Sequence, residues 1–231
     1  HMVSQVPLTV RDSETPIGDS FAVVEPLEPS PYWGDEAIWT SRANVHNPML
    51  DHLGRLWLTS RIRPRENPAF CQAGSTHSSA TLFPTSTSGR HLALYDPRTE
   101  QLTLIDTCFS THHLVFAEDD NNTLWTSGGG QVIGWLNTKK FDETGDEAMS
   151  QGWAPLILDT NGNGEQDAWV EPGEPANSDQ DTRITSGFYG VAVSPVDGSI
   201  WGSSLGFPGS ILRFAPGPNP PTTALTEIYL L

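Results

Sequence analysis

The chain has 231 residues, with 28 acidic against 12 basic side chains and a formal net charge of −16. Only Lys139 and Lys140 are lysines, so the clustered cations that a nucleic-acid partner requires are missing, and no run of 18 apolar residues offers a membrane span. With 21 Gly and 19 Pro the chain favours turns over long helices, while 8 Trp and 9 Phe can supply a shared core, which excludes disorder throughout.

His1-Met2 reads as the remnant of a cleaved tag. Residues 1–30 lack periodicity and contain Pro7, Pro16, Pro26 and Pro29, which predicts an extended N-terminal arm. Trp33-Gly-Asp35-Glu36 then reads as a strand edge packed by Trp. From about residue 31 the chain repeats one plan. The first unit, about 45–108, has a strand over Val45–Leu50, an acidic turn at Asp51, and a strand around Trp57 that ends in Thr59-Ser60. Two more strands follow, His91–Tyr95 and Gln101–Asp106. The second, about 112–161, has His112–Ala117, a turn at Glu118–Asn122, a strand around Trp125, then Val132–Asn137 and Ala154–Asp159. The third, about 188–231, has Phe188–Val193, a turn at Asp197-Gly198, a strand around Trp201, then Ser210–Ala215 and Ala224–Leu231. Asp-Gly and Asn-Asn are hairpin turn chemistry, and Leu-Trp or Ile-Trp opens the strand that follows.

Four antiparallel strands repeated three times predict an all-β chain, a β-propeller of three blades forming a half ring. The residues Phe188-Tyr-Gly-Val-Ala-Val-Ser-Pro-Val-Asp-Gly-Ser-Ile-Trp201, with Gly209-Ser-Ile-Leu-Arg-Phe214, resemble blades of the streptogramin (virginiamycin B) lyase-like propellers and their NHL and SMP-30-like relatives. The resemblance covers about 31–231 and implies architecture more than chemistry, since lyases, lactonases and binding propellers share such blades. Propellers have about four to eight blades, so three call for partners. These would be further blades from the same gene, from a second polypeptide or from a second copy in a homodimer. The strand-like terminus Thr226–Leu231 reads as a cut between blades.

Aligning the units on Trp57, Trp125 and Trp201 makes His46, His113 and Tyr189 equivalent, each at the start of an innermost strand that would line the channel. Such nitrogen and oxygen donors suit a transition metal, Zn, Fe, Cu or Ni. The resemblance implies the same location, because lyase-like propellers use metal and histidine near the channel. His112 reads as a packing neighbour. Two long loops, 63–90 and 160–187, are expected at that mouth.

The second loop opens with Asp159-Thr-Asn161-Gly-Asn163-Gly-Glu165-Gln-Asp167, whose alternate oxygens follow the first nine positions of a calcium loop. Its twelfth position is Val170, so a bidentate carboxylate would have to come from Glu171, Glu174, Asp179 or Asp181. Cys71 and Cys108 permit one disulfide, which suits a periplasmic or extracellular protein, or else two buried thiols. Gly128–Gly130 reads as a turn, and Ser75-Thr-His77 lacks the patterned acid of a hydrolase triad. Two functions stay open. One is a metal-dependent lyase or oxygenase acting on a small or polymeric organic ligand. The other is a non-catalytic, calcium-stabilised recognition propeller.

Overall fold

The computed structural model describes residues 6, 8–12, 43–128 and 130–231. Most of the expected arm over 1–30, and Trp33–Glu36, fall outside these residues.

Turn chemistry sets the first sheet. Asp51 Oδ1 accepts from the backbone N–H of Leu53 and of Arg55, both at 2.9 Å, and Gly54 takes φ +76°. The chain therefore reverses between β1 (His46–Leu50) and β2 (Leu56–Ser60). Segment 63–90 then carries a short 3₁₀ turn at Ala69–Cys71 and helix α1 (Ser78–Leu82). Strands β3 (His91–Asp96) and β4 (Gln101–Ile105) complete an antiparallel sheet in the order β1-β2-β3-β4.

The second sheet is antiparallel too, with β5 (Leu114–Phe116), β6 (Thr123–Thr126), β7 (Val132–Asn137) and β8 (Gln151–Pro155). Its last strand departs from the expected Ala154–Asp159. Asn137 accepts from the Lys140 N–H at 2.8 Å and caps α2 (Thr138–Thr144), which Gly145 ends at φ +66°. Asp146 caps α3 (Glu147–Ser150), so the chain re-enters the sheet at Gln151. Pro155, with no N–H to give, closes that strand. Ile157–Leu158 (β9) crosses instead into the third sheet.

That sheet contains the predicted strands β12 (Ala192–Val193), β13 (Ile200–Ser203), β14 (Ser210–Ala215) and, after α4 (Pro220–Thr223), β15 (Leu225–Leu230). Beyond β15 lie β9, β11 (Asp181–Arg183) and β10 (Trp169–Val170), making seven strands where four were expected. The 160–187 segment is thus partly sheet. The chain is mostly sheet with short helices, an all-β protein.

The sheets pack face to face in succession. Trp57, Leu92, Leu94 and Ile105 meet Leu114, Leu124, Leu136 and Phe141 at the first interface. Trp125, Ile133, Ala154 and Leu156 meet Phe188, Ile200, Leu212 and Phe214 at the second. Each fully buried Leu, Ile or Phe contributes about 1.5–3 kcal/mol of transfer free energy, so these two interfaces hold the stack together. Strand β5 neighbours β1 on one side and β12 on the other along its inner edge. The recurrent Trp faces the next sheet: Trp57 the second, Trp125 the third. Trp201, alternating with the core residue Ile200, faces away from the second sheet. It stacks on Tyr229 at 5.9 Å with the Arg213 guanidinium 5.8 Å from its ring. Among the described residues the stack does not close into a ring.

A third cluster surrounds the Cys71–Cys108 disulfide, whose Cα atoms are 5.3 Å apart, with Ala80, Phe109 and Trp153. The bond fastens the 63–90 segment to the end of the first sheet. Gly134 is required beside it, because a Cβ there would fall 2.2 Å from the Phe109 ring.

Candidate functional site

The inner strands bring four side chains to one end of the stack. His46 opens β1, His112 and His113 precede β5, and Tyr189 precedes β12. The hydroxyls that trail Trp57 and Trp125 hold this arrangement. Thr59 Oγ1 donates to the carbonyl of His46 at 2.9 Å and lies 3.3 Å from that of His112. Ser127 Oγ accepts from the His113 N–H at 3.1 Å and donates to the Tyr189 carbonyl at 2.6 Å. Each hydroxyl therefore ties the inner strands of two neighbouring sheets.

The rings converge. His46 stacks on His112, with centroids 4.3 Å apart and planes 14° apart, and His113 lies 4.3 Å from His112 and 5.3 Å from His46. One nitrogen from each of the three lies within 4.8 Å of the other two. Tetrahedral ligation at about 2.1 Å separates nitrogens by about 3.4 Å, so modest side-chain rotation would suffice. His113 Nδ1 donates to the Tyr189 carbonyl at 2.7 Å, which fixes its tautomer and leaves Nε2 with its lone pair. Among the described residues His46 Nε2, which is buried, has no hydrogen-bond partner. Burial, then Arg90 and His113, hold His46 below the usual imidazole range; burial, then His113, His46 and Arg90, bring His112 to about 4. In both, burial favours the neutral imidazole.

His46 and His113, expected at this mouth, are brought together there. Tyr189 joins as a wall: its ring sits edge-on to His113 at 4.9 Å, and its carbonyl orients that imidazole. His112, expected only to pack, also directs a nitrogen into the cluster. It precedes β5, so the alternation that would turn it away from His113 does not apply.

Residues 159–167 fold into a tight polar loop. Asp159 accepts from the N–H of Gly162 at 2.6 Å and of Gly164 at 2.8 Å, and both glycines have positive φ. Asn161 Oδ1 accepts from the Asn163 N–H, and Asn163 Oδ1 from the Glu165 N–H. The Asn161 and Asn163 amides both donate to Asp167, which they hold below the usual carboxylate range. Of the carboxylates considered for the missing position, Asp181 lies beneath the loop, fully buried, accepting from the Asp167 N–H at 2.8 Å. Glu171 is engaged by Arg183.

His77 is structural: Nδ1 accepts from the Ser79 N–H at the start of α1, Nε2 donates to the Ala148 and Gln151 carbonyls, and the ring stacks on Trp153. Gly128 backs onto the Ser110 carbonyl, 1.9 Å from where a Cβ would stand, so it is a close-approach position. A cleft of about 770 Å³ opens at the opposite end of the stack, between the turns of the second and third sheets. Its cation, Arg213, is already paired with Asp197 and Glu227, so the histidine mouth is the better candidate. Among the described residues no helix is long and apolar enough to cross a membrane. No protein-family model matches the chain, and no curated protein or solved structure matches it.

Proposed function

We propose that the chain is part of an exported, propeller-type protein whose inner-strand mouth holds a divalent transition metal through His46, His112 and His113. The convergence of three imidazole nitrogens within 4.8 Å, drawn from two neighbouring sheets, carries this reading. Further support comes from His113, whose tautomer is set by the carbonyl of Tyr189, the third residue expected at this end. Three protein ligands would leave a metal an open position, and the metal would supply Lewis-acid polarisation of an organic substrate. This is chemistry suited to a lyase or oxygenase, in keeping with the lyase-like resemblance of the blades. The disulfide agrees with an oxidising compartment, and the 159–167 loop is read as a calcium site that stiffens the third sheet.

The test is metal uptake by the purified chain, followed by equilibrium titration with Zn²⁺ or Co²⁺. One equivalent should bind, and His46→Ala, His112→Ala and His113→Ala should each abolish it while the fold persists. Absence of uptake by the intact chain overturns the reading. A second reading, a calcium-stabilised recognition propeller using the same face, is favoured by the stacked His46 and His112 rings with Tyr189 beside them. They form an aromatic surface able to hold a ligand without metal. Ligand binding unaffected by chelation would select it.

A further inference from the structure

The mouth that carries the histidines also gathers arginine, in a chain with 12 basic residues against 28 acidic ones. Arg61 follows β2 and Arg90 precedes β3. Because His46 pairs with Thr59, and Ser60 with His91, both arginines stand at the end where β1 begins. Arg90 is fixed there: Nε donates to the Asn44 carbonyl at 3.2 Å and Nη2 to Asn44 Oδ1 at 3.1 Å, two residues before His46. Among the described residues Arg61 Nε, which is buried, has no acceptor. Leaving such a donor unsatisfied costs about 1–3 kcal/mol, so the position is matched to an acceptor that arrives from outside.

Charge makes the same demand. Arg61 lies close enough to act on Arg90, and Arg90 close enough to act on His46 and His112. A dication placed among the imidazoles would add to the charge of Arg90, which Arg61 already opposes. An anion would relieve that repulsion, and a guanidinium presents parallel N–H donors that match carboxylate and phosphate oxygens.

We propose that this mouth binds an oxyanion, a carboxylate or phosphate group of its ligand, between the Arg61 and Arg90 guanidiniums and the three histidines. The inference rests on the metal reading above, since the anion would complete the metal's open position. The full chain is loaded with Co²⁺, and inorganic phosphate and succinate are titrated separately by calorimetry and by the visible Co²⁺ spectrum. At least one should bind and alter the spectrum, and their order of affinity separates phosphate from carboxylate. Arg61→Gln and Arg90→Gln should each weaken the anion about tenfold while the Co²⁺ affinity moves less than about twofold. Arg90→Lys serves should Arg90→Gln unfold, and Arg98→Gln, in an exposed pair with Asp96 at the far end of β3, should change neither. Co²⁺ uptake without binding of either anion, or anion binding indifferent to both arginines, overturns the inference and leaves the metal reading intact. Absence of Co²⁺ uptake removes the metal reading; the oxyanion site then survives only if the metal-free chain binds an anion that both substitutions weaken.

Discussion

Asp51 stands at the foot of the first hairpin with its side chain shielded from solvent, and it receives Arg55 Nε at 2.7 Å and the Trp57 indole N–H at 3.0 Å besides its two backbone donors. Burial alone would raise its pKa; the Trp57 and Arg55 donors outweigh this and hold it below the usual carboxylate range. A depressed carboxylate contributes stability that is present above its unfolded value of about 3.9 and is lost as pH falls through the folded one. Asp51→Asn should therefore cost about 2 kcal/mol in urea unfolding at pH 7, because Arg55 keeps its bidentate pair with Asp142. The gap between the two proteins should narrow below pH 4. A gap that stays constant down to pH 3 would show that the charge of Asp51 is not what stabilises the turn. The same chemistry recurs at Asp119, which accepts from the Thr123 N–H at 2.9 Å, and at Asp197, which accepts from the Ser199 N–H at 3.1 Å. The acid in each repeated turn is thus a cap for the strand that carries Trp.

At the scale of the element, two attachments have measurable consequences. The Cys71–Cys108 bond closes a span of 37 residues and should contribute about 3 to 4 kcal/mol, so replacing both cysteines by alanine should lower the melting midpoint and free segment 63–90 for proteolysis. An unchanged midpoint would mean that α1, docked through Ser79 on Trp153, holds the segment alone. In the 159–167 loop, calcium at about a hundredfold above its Kd should stabilise the chain by about 2.7 kcal/mol, seen as a higher midpoint with calcium than with EDTA. Identical melts would remove calcium from the account. The strands around Trp57, Trp125 and Trp201, and the approach of His46 to His113, were legible because these tryptophans fix a register that turns, strands and trailing hydroxyls all share. The α2–α3 insertion was missed although Asn137 and Gly145 mark the ends of α2, since the apolar run around Trp153 invited a later strand. Strands β9 and β10, two residues each, are too short to impose any period and exist only by pairing with distant segments. His112, read as a packing neighbour, does stack on His46; that it also offers a nitrogen to the cluster follows from its place before β5, which the strand pattern did not mark.

At the scale of the whole molecule, the order of sheets leaves one face without a successor among the described residues. Ile211, Trp201 and Tyr229 lie on the side of the third sheet turned away from the second, and Tyr229 is 46% exposed. In the half-ring reading this face meets another sheet, so light scattering should find the purified chain as a two-fold dimer of six sheets or with a further polypeptide bound. A stable, non-aggregating 25.2 kDa monomer would argue against that completion. The histidine cluster adds a consequence in time. Its members come from two sheets, and Thr59 and Ser127 register them only once those sheets and the third have docked. Early in folding, hairpins form from neighbours in sequence, whereas this cluster joins positions more than sixty residues apart and so appears with the last, non-local contacts. A spectroscopic signal from metal at the mouth would therefore serve as a clock for docking: silent while single sheets form, and switched on as the stack locks.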